Sequence, residues 1–564
     1  MIKRIFSTLL ILFSIMSCQS QKEVITAEKE FVESQKQTES YSNRPKLVVG
    51  IVVDQMRYDY LTRFYNKFGE GGFKRMVNEG FNCKNNHFNY IPTKTAAGHA
   101  SLYTGTTPRY HGVIGNDWFD KTTNENVYCV RDNSYQSVGT LSDDGRMSPH
   151  RMSTTTFSDE NRLFTQMKGK TIGISIKDRG AVLPAGHTAN AAYWFRGKNE
   201  GAWISSTFYM NELPKWVSDF NASDAANSYL KTWNTLYPIE TYIESGADLS
   251  DFEDGFNSKL TATFPYDLKT LSKKNGGLDI IKSTPFGNSL ITDFAIAAIE
   301  GEQLGKDDIT DVLAISYSST DYVGHNFGVN AKETQDTYLR LDKDLERLFK
   351  RLDEKIGKGD YTVFLTADHG APYVPALLDS HKIPGGLLDF NQVKTDLNEL
   401  LSTKLSVADL VLKISNEQVF LNHEVIASNN LDVDIIEDII IDKLLDHDMI
   451  NKAFKGSVVN NFAFQNGVEL LLKNGYNQKR SGDILIIMES SVFSDNMWNK
   501  KGTDHGSGYA YDTHVPLLFF GKGIKKGQTY KKTEITDIAP TISALLGISF
   551  PNGATGQPLE FVID

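Results

Sequence analysis

Lys46 is followed by LVVGIVV (Leu47–Val53), which runs without a polar residue into Asp54. An unbroken apolar, β-branched run of this length suits a strand covered on both faces, as in a parallel sheet. Similar runs recur along the chain. They are Thr171–Ile176 (TIGISI) ahead of Lys177, Val312–Tyr317 (VLAISY) ahead of Asp321, Thr362–Thr366 (TVFLT) ahead of Asp368, Ile484–Met488 (ILIIM) and Val515–Phe520 (VPLLFF). Amphipathic helical spacing falls between several of them, over Gln335–Ile356 and, near the end, Ile538–Leu546. This alternation predicts a doubly wound α/β fold with a central, mostly parallel sheet flanked by helices. Two long stretches interrupt it, about 190–290 and about 375–480; the second has helical spacing over Val393–Leu401 and Asp434–Asp446. Both are read as cap insertions on one core spanning 46–564.

The 564 residues are 40% apolar and 23% charged, which permits a large core and excludes global disorder. With 59 Lys+Arg against 70 Asp+Glu the net charge is −11, so binding to a nucleic-acid polymer is not expected. Acidic small substrates stay open, because a metal ion or a local Lys/Arg pair reverses the field inside one pocket. Three cysteines exclude a disulfide scaffold and a four-Cys zinc site.

Lys3 and Arg4 precede a mostly apolar run, Ile5–Met16, too short to span a membrane and placed like a secretion signal. The run ends at Ser17-Cys18, which resembles a bacterial lipoprotein cleavage box with Cys18 as the lipidated first residue. The reading is therefore a signal peptide over 1–17 and a polar tether over 18–45. The mature chain would carry a net charge of −13, since 1–17 contains only the two basic residues. An exported, periplasmic or outer-membrane lipoprotein of a Gram-negative bacterium is expected. In such a compartment Cys83 and Cys129 could pair, although neither neighbourhood looks like a redox motif. A monomer is expected, since no coiled-coil heptad or repeat forces a dimer.

Polar residues cluster just beyond the apolar runs, where open parallel sheets place their ligand sites. They are Asp54, Asp321, His325, Asp368 and His369, with His505 after a loop. Asp321 and His325 are four apart and share one face of a helical turn, so they can hold one ion. Asp368 and His369 are adjacent and diverge, so this pair could serve two ions on either side. Three aspartates with three histidines suit Zn²⁺ or another first-row metal better than Ca²⁺ alone. Thr95, in Thr93-Lys94-Thr95-Ala96-Ala97-Gly98-His99, opens a predicted helix. Its hydroxyl would sit at the positive helix end, which favours an alkoxide and a bound phosphate, or simply cap the helix. Lys177 and Arg179 project to one side if the chain is extended there, and Arg179 can fork across two phosphoryl oxygens. Asn116 offers an amide donor in a turn.

Taken in order, Asp54, Thr95, Asn116, Lys177/Arg179, Asp321/His325, Asp368/His369 and His505 resemble the alkaline phosphatase superfamily. The nearest likeness is to the bacterial phosphate-irrepressible group with a threonine nucleophile, and it covers about residues 46–564. The resemblance implies that Asp321, His325 and His505 hold one Zn²⁺ and Asp54, Asp368 and His369 the other, with Thr95 contacting the second ion as nucleophile. Co²⁺ or Ca²⁺ could substitute. It implies that Asn116 and Arg179 hold non-bridging phosphoryl oxygens. Lys177 would face the transferring group and take the place of a third, magnesium, site for which no ligand set is seen. The sulfatase branch needs a C/S-x-P-x-R motif, and Thr95 is followed by Ala-Ala-Gly.

The implied reaction is hydrolysis of small phosphate monoesters, over a broad range, through a threonyl-phosphate. A phosphodiesterase or nucleotide pyrophosphatase of the same superfamily is the first alternative; two cations near the phosphoryl group argue for the more charged monoester. The alternative of another class is a non-catalytic surface lipoprotein binding glycans or metal, with Trp194, Trp203, Trp216 and Trp233 as stacking platforms. Core packing is the preferred reading of those four rings.

Overall fold

β1 (Leu47–Val53) is buried at every position, as its unbroken apolar run predicts. The computed structural model describes residues 44–494 and 501–564. The proposed signal peptide, Cys18 and nearly all of the tether lie outside them. The other strands are β2 (Phe81–His87), β3 (Asp117–Asp120), β4 (Glu125–Tyr128), β5 (Ser137–Val138), β6 (Thr171–Ser175), β7 (Ala191–Arg196) and β8 (Ala202–Ser206). Then come β9 (Thr232–Trp233), β10 (Tyr266–Asp267), β11 (Asp311–Tyr317), β12 (Tyr361–Thr366), β13 (Gly386–Leu388), β14 (Val411–Ser415) and β15 (Gln418–Leu421). The last are β16 (Ile450–Lys455), β17 (Ile484–Met488), β18 (Val492–Ser494), β19 (Leu517–Gly521) and β20 (Gly527–Glu534).

The large sheet has ten strands in the order β20-β2-β19-β12-β1-β11-β6-β7-β8-β5. Its centre, β12-β1-β11-β6-β7, is parallel throughout, and β8 and β19 run antiparallel at either side. The helices that carry or support the site are α1 (Thr95–Thr104), α2 (Asp178–Ala185), α3 (Pro285–Gly301), α4 (Ser319–Phe327), α5 (Lys332–Lys355), α6 (Phe390–Leu405), α7 (Val433–Leu445) and α8 (Ile538–Leu546). The amphipathic α5 buries Leu341, Leu345, Leu348 and Leu352 at three- and four-residue spacing, as a surface helix on a sheet does.

Two sequence readings change here. Ile484–Met488 is not in the large sheet: β17 pairs with β15 and β16 in a separate four-stranded sheet, β14-β15-β17-β16. That sheet has its own apolar cluster, which includes Leu397 of α6, Ile436 of α7 and Ile484. An apolar run tells a buried strand but not which sheet buries it. The stretch from about 190 begins with β7 and β8, which are strands of the large sheet. Their Asn- and Ser-rich flanks hid them.

Trp194, Trp203 and Trp233 are buried, and Trp216 packs partly buried against the main core, with its ring tilted on Phe294. These rings are core, so they offer no sugar platform. Cys83 and Cys129 are buried, unpaired thiols in different apolar clusters, and the suggested pairing does not occur.

Candidate metal centre and active site

Four neighbouring parallel strands, β12, β1, β11 and β6, end side by side. Just beyond each end stands one charged side chain: Asp368, Asp54, Asp321 and Lys177, in that spatial order. This is the edge at which open α/β sheets bind ligands. Their apolar strands are buried, so the charges emerge together from the top of the core.

The side chains form two groups, Asp321/His325/His505 and Asp54/Asp368/His369. Within each, one ligand atom per residue lies within 4.8 Å of the others. Asp321 and His325 share a face of α4, as their spacing predicts. Asp368 and His369 enter the same group, so the reading in which they diverge toward two ions does not hold. The three imidazoles are oriented alike. Nδ1 of His325 is 2.8 Å from Thr503 O, Nδ1 of His369 is 3.0 Å from Gly370 O, and Nδ1 of His505 is 2.7 Å from Thr93 O. Donation to these carbonyls places the proton on Nδ1 and turns each Nε2 lone pair toward the carboxylates, the arrangement of metal-binding histidines. His325 Nε2 is 3.2 Å from Asp321 Oδ1 and His369 Nε2 is 3.4 Å from Asp54 Oδ1.

A test of fit comes from the polar atoms themselves. Asp54 Oδ1, Asp368 Oδ2 and His369 Nε2 are sealed from solvent and accept or donate no hydrogen bond. Buried polar atoms without partners are rare and costly, and a cation would satisfy all three. Three aspartates against Lys177 leave the cluster short of positive charge. Burial, then the charge of Asp54, push the Asp368 carboxyl well above its usual range. Burial, then His369, hold His505 well below its usual value, so it stays a neutral ligand. Nitrogen and oxygen donors in this mixture fit a divalent first-row ion.

Lys177 is the N-cap of α2, and Arg179 is already helical, so the two do not project together from an extended chain. Lys177 Nζ sits 2.6 Å from Asp54 Oδ2 and 2.6 Å from Asp321 Oδ2, one carboxylate from each group. Burial opposes its charge, but Asp321 and Asp54 outweigh burial and raise its pKa. Its charge is committed to the two carboxylates. Arg179 lines the cleft, half-buried, with Nη1 held by the Tyr128 hydroxyl at 3.0 Å.

Thr95 is the first residue of α1, as predicted, and is buried. Asn116 Oδ1 accepts from Ala96 N–H at 2.9 Å, which fixes its amide beside the start of α1. Lys94, Thr95, Asn116, Arg179, Lys177, Asp321, His325 and His505 all line one cleft of about 640 Å³. The rim opposite them is built by α6 and the β14–β15 hairpin, whose Asn416 Nδ2 donates to Asp117 O at 2.7 Å.

Several neighbours carried no readable sequence signal. Gln55 sits at φ 65°, a left-handed conformation that is unusual outside glycine. From there its backbone N–H donates to Asp368 Oδ1 at 3.2 Å and its Nε2 to Asp321 Oδ1 at 2.8 Å, one bond to each group. His99, on the buried side of α1, has Nδ1 2.8 Å from Thr95 O and Nε2 2.9 Å from Ser316 Oγ; burial first of all brings it down to about 4. Lys94 Nζ donates to His505 O at 2.6 Å. Apart from the His99 bond to Thr95, four residues back, these contacts join residues far apart in the chain, and no local pattern announces them.

The family model for type I phosphodiesterase / nucleotide pyrophosphatase matches residues 48–509. This chain belongs to that family. The family sits within the alkaline phosphatase superfamily, in agreement with the likeness read from the ordered motifs. Among similar members, a Myroides odoratus protein named calcium-transporting ATPase is 48% identical over 92% of this chain and 95% of its own length. Alkaline phosphatase PafA of Elizabethkingia meningoseptica is 46% identical over 92% of this chain and 95% of its own. A crystal structure of wild-type PafA superposes with a TM-score of 0.89 at 46% identity, covering 92% of this chain and 99% of that one. The doubly wound α/β fold read from LVVGIVV and its sister runs is thus shared with a solved alkaline phosphatase.

Proposed function

We propose that this chain is a metal-dependent alkaline phosphatase that hydrolyses small phosphate monoesters through a threonyl-phosphate. The observation that carries the reading is the cleft that Thr95, at a helix N-terminus, lines together with Asp321, His325, His505 and Arg179, with the buried Asp54/Asp368/His369 group joined to it through Lys177 and the stacked His369 and His505 rings. Relatives named alkaline phosphatase over most of the chain support it. Two divalent ions, Zn²⁺ by ligand type, would be held by Asp321/His325/His505 and by Asp54/Asp368/His369, and when bound supply the positive charge that makes a hydroxyl nucleophilic and eases departure of an alcohol oxygen. Co²⁺ or Ca²⁺ could substitute in either place.

The residues divide the work as follows. Thr95 Oγ forms the new bond to phosphorus as the bond to the alcohol oxygen breaks, and the alcohol leaves with the proton. The Asn116 amide and Arg179 hold the non-bridging oxygens. The N-terminus of α1 adds its dipole to the phosphorylated Thr95. Water then cleaves the Thr95–phosphate bond and releases inorganic phosphate, restoring the hydroxyl. Lys177 keeps Asp54 and Asp321 apart at fixed positions. Positioning and charge do most of what phosphoryl transfer needs.

The family model's own description favours a second reading, phosphodiester cleavage. The charge argument against it is narrower than the sequence suggested, because Lys177 is paired internally and Arg179 alone faces outward. One experiment separates the two: kcat/KM for an aryl phosphate monoester and its methyl diester, on metal-analysed protein, for the wild type and Thr95→Ala. A strong monoester preference that falls by about 10³-fold or more in the variant, with metal retained, is expected. A diester preference, or full activity without Thr95, refutes the proposal. ATP belongs in the same panel, since release of its terminal phosphate is a phosphoryl transfer of the kind the Myroides name implies.

We also propose export and lipid attachment at Cys18, on the strength of the Ser17-Cys18 box. Labelling by a fatty-acid analogue that survives in Cys18→Ser would overturn that assignment.

A further inference from the structure

The β3–β4 hairpin and the residue after it carry no metal ligand, yet they touch both residues assigned to the phosphoryl oxygens: the side chain of Arg179 and the backbone of Asn116. Tyr128, the last residue of β4, donates its phenol to Asp178 Oδ1 at 2.5 Å and accepts from Arg179 Nη1 at 3.0 Å. The next residue, Cys129, donates its backbone N–H to Asn116 O at 2.9 Å. Asn116 in turn holds the N–H of Ala96, next to Thr95. A continuous chain therefore runs Arg179–Tyr128–Cys129–Asn116–Ala96–Thr95, across segments separated by up to 84 residues of sequence.

The direction of these bonds has a consequence. Asp178 Oδ1 accepts from the Tyr128 hydroxyl and from the backbone N–H of Arg179 at 2.6 Å. No ion pair forms between Asp178 and the guanidinium itself; the phenol stands between them. Arg179 Nε is buried without a partner, so among the described residues Nη1 is its one side-chain anchor to the protein. A carboxylate bonded directly to the guanidinium would take up the donors that a phosphoryl group needs.

We propose that Tyr128 is a positioning residue that aims Arg179 at the phosphoryl group and keeps Asp178 from capturing it. The proposal rests on the phosphatase reading above and deepens it. Tyr128 does not touch the reacting atoms, and its effect passes through Arg179. Without the hydroxyl, Asp178 loses a donor and Arg179 loses its anchor, and the two close on each other. Arg179 then turns away from the cleft while the metal groups, which Tyr128 does not contact, stay in place.

The test uses the full mature protein with its metals. Tyr128→Phe should lower kcat/KM for an aryl phosphate monoester by about 10- to 100-fold and that for its methyl diester by about 3-fold or less. Metal content should be unchanged. Arg179→Ala with Tyr128→Phe should lose no more than Arg179→Ala alone, because the two act as one unit. Asp178→Asn/Tyr128→Phe should regain part of the monoester loss, since an amide captures a guanidinium poorly. Equal losses on both esters, or losses that multiply in the Arg179 double variant, overturn the proposal. Should Tyr128→Phe fail to fold, Asp178→Asn alone decides by the same ester ratio, with a monoester-specific change expected and an unchanged ratio overturning it. A wild type without monoester turnover would sink the phosphatase reading instead, and that arm is read first.

Discussion

Gly98 places a strict steric condition on the site. It lies on the first turn of α1, three residues after Thr95, against the backbone of Asp368. A Cβ at this position would fall 2.5 Å from Asp368 O, 2.7 Å from its Cβ and 3.0 Å from its Cα. None of these is the far end of a flexible side chain. Normal carbon contacts start near 3.5 Å, so Gly98→Ala must separate α1 from Asp368 by about 1 Å. That displacement acts between the proposed nucleophile and one of the proposed ligands. A misplacement of about 1 Å costs about 10²-fold in a reaction that depends on near-attack geometry. Helix propensity pulls the other way, since alanine is better than glycine by about 1 kcal/mol in a helix interior. The variant should therefore fold with a melting temperature close to wild type while kcat/KM for an aryl phosphate falls by about two orders of magnitude. Metal analysis and a thermal melt accompany the kinetics. Activity within about threefold of wild type, with metal bound, would refute the reasoning, because it would mean that the spacing of Thr95 and Asp368 does not govern the rate.

Lys177→Met leaves the Asp54 and Asp321 carboxylates facing each other without their cation, so the chelator-treated protein should lose about 3–5 kcal/mol in denaturant unfolding; an unchanged transition would show that the two ion pairs contribute nothing. Gln55→Gly relieves the left-handed backbone and keeps the N–H bond to Asp368 but loses the amide bond to Asp321, so metal affinity should fall by about 10-fold with stability nearly unchanged; equal affinity in a chelator competition would refute the role of that amide. Burial, then Glu333, raises Glu253 to about 9, and burial raises Glu333 to about 8. The folded state holds these protons more tightly than the unfolded one, so their contribution is complete below the ordinary Glu value and is lost as pH rises toward 8 and 9. The melting temperature of Glu253→Gln should therefore decline less than that of wild type between about pH 5 and pH 9, and parallel curves would refute the assignment.

The core and its chemistry were legible for one physical reason: strands buried on both faces leave unbroken apolar runs, and the residue that ends such a run must be polar and must emerge at the sheet edge. Asp54, Asp321, Asp368 and Lys177 each stand just past a run, and Thr95 stands at a helix start. What failed was anything decided by packing partners. ILIIM was equally consistent with either sheet. β7 and β8 sit between polar flanks that mask them. Lys177 and Arg179 project together only from an extended backbone, whereas the chain turns helical at Asp178 and sends the lysine inward to the carboxylates of Asp54, just past β1, and Asp321, on α4. Gln55 and Tyr128 reach their partners, and His99 reaches Ser316, through tertiary contacts with no sequence spacing to betray them.

The division of labour between core and insertion follows from where the ligands come from. Asp54, Asp321, His325, Asp368 and His369 follow strands of the large sheet, and His505 is clipped to Thr93, two residues before Thr95. None comes from the four-stranded sheet of the insertion, which has its own apolar cluster. That insertion supplies the opposite rim of the cleft, through Lys413–Glu417 and the start of α6. Its hairpin is pinned to the catalytic side by the bond from Asn416 to Asp117 and by Phe420 against Phe119, with ring centroids 5.3 Å apart. The hairpin therefore touches the residue after Asn116 without contributing a ligand. Changes in the hairpin can reshape the room left for an alcohol while the metal groups and Thr95 keep their geometry, because the two parts are held by separate cores. A site arranged in this way changes its leaving-group preference more readily than its chemistry.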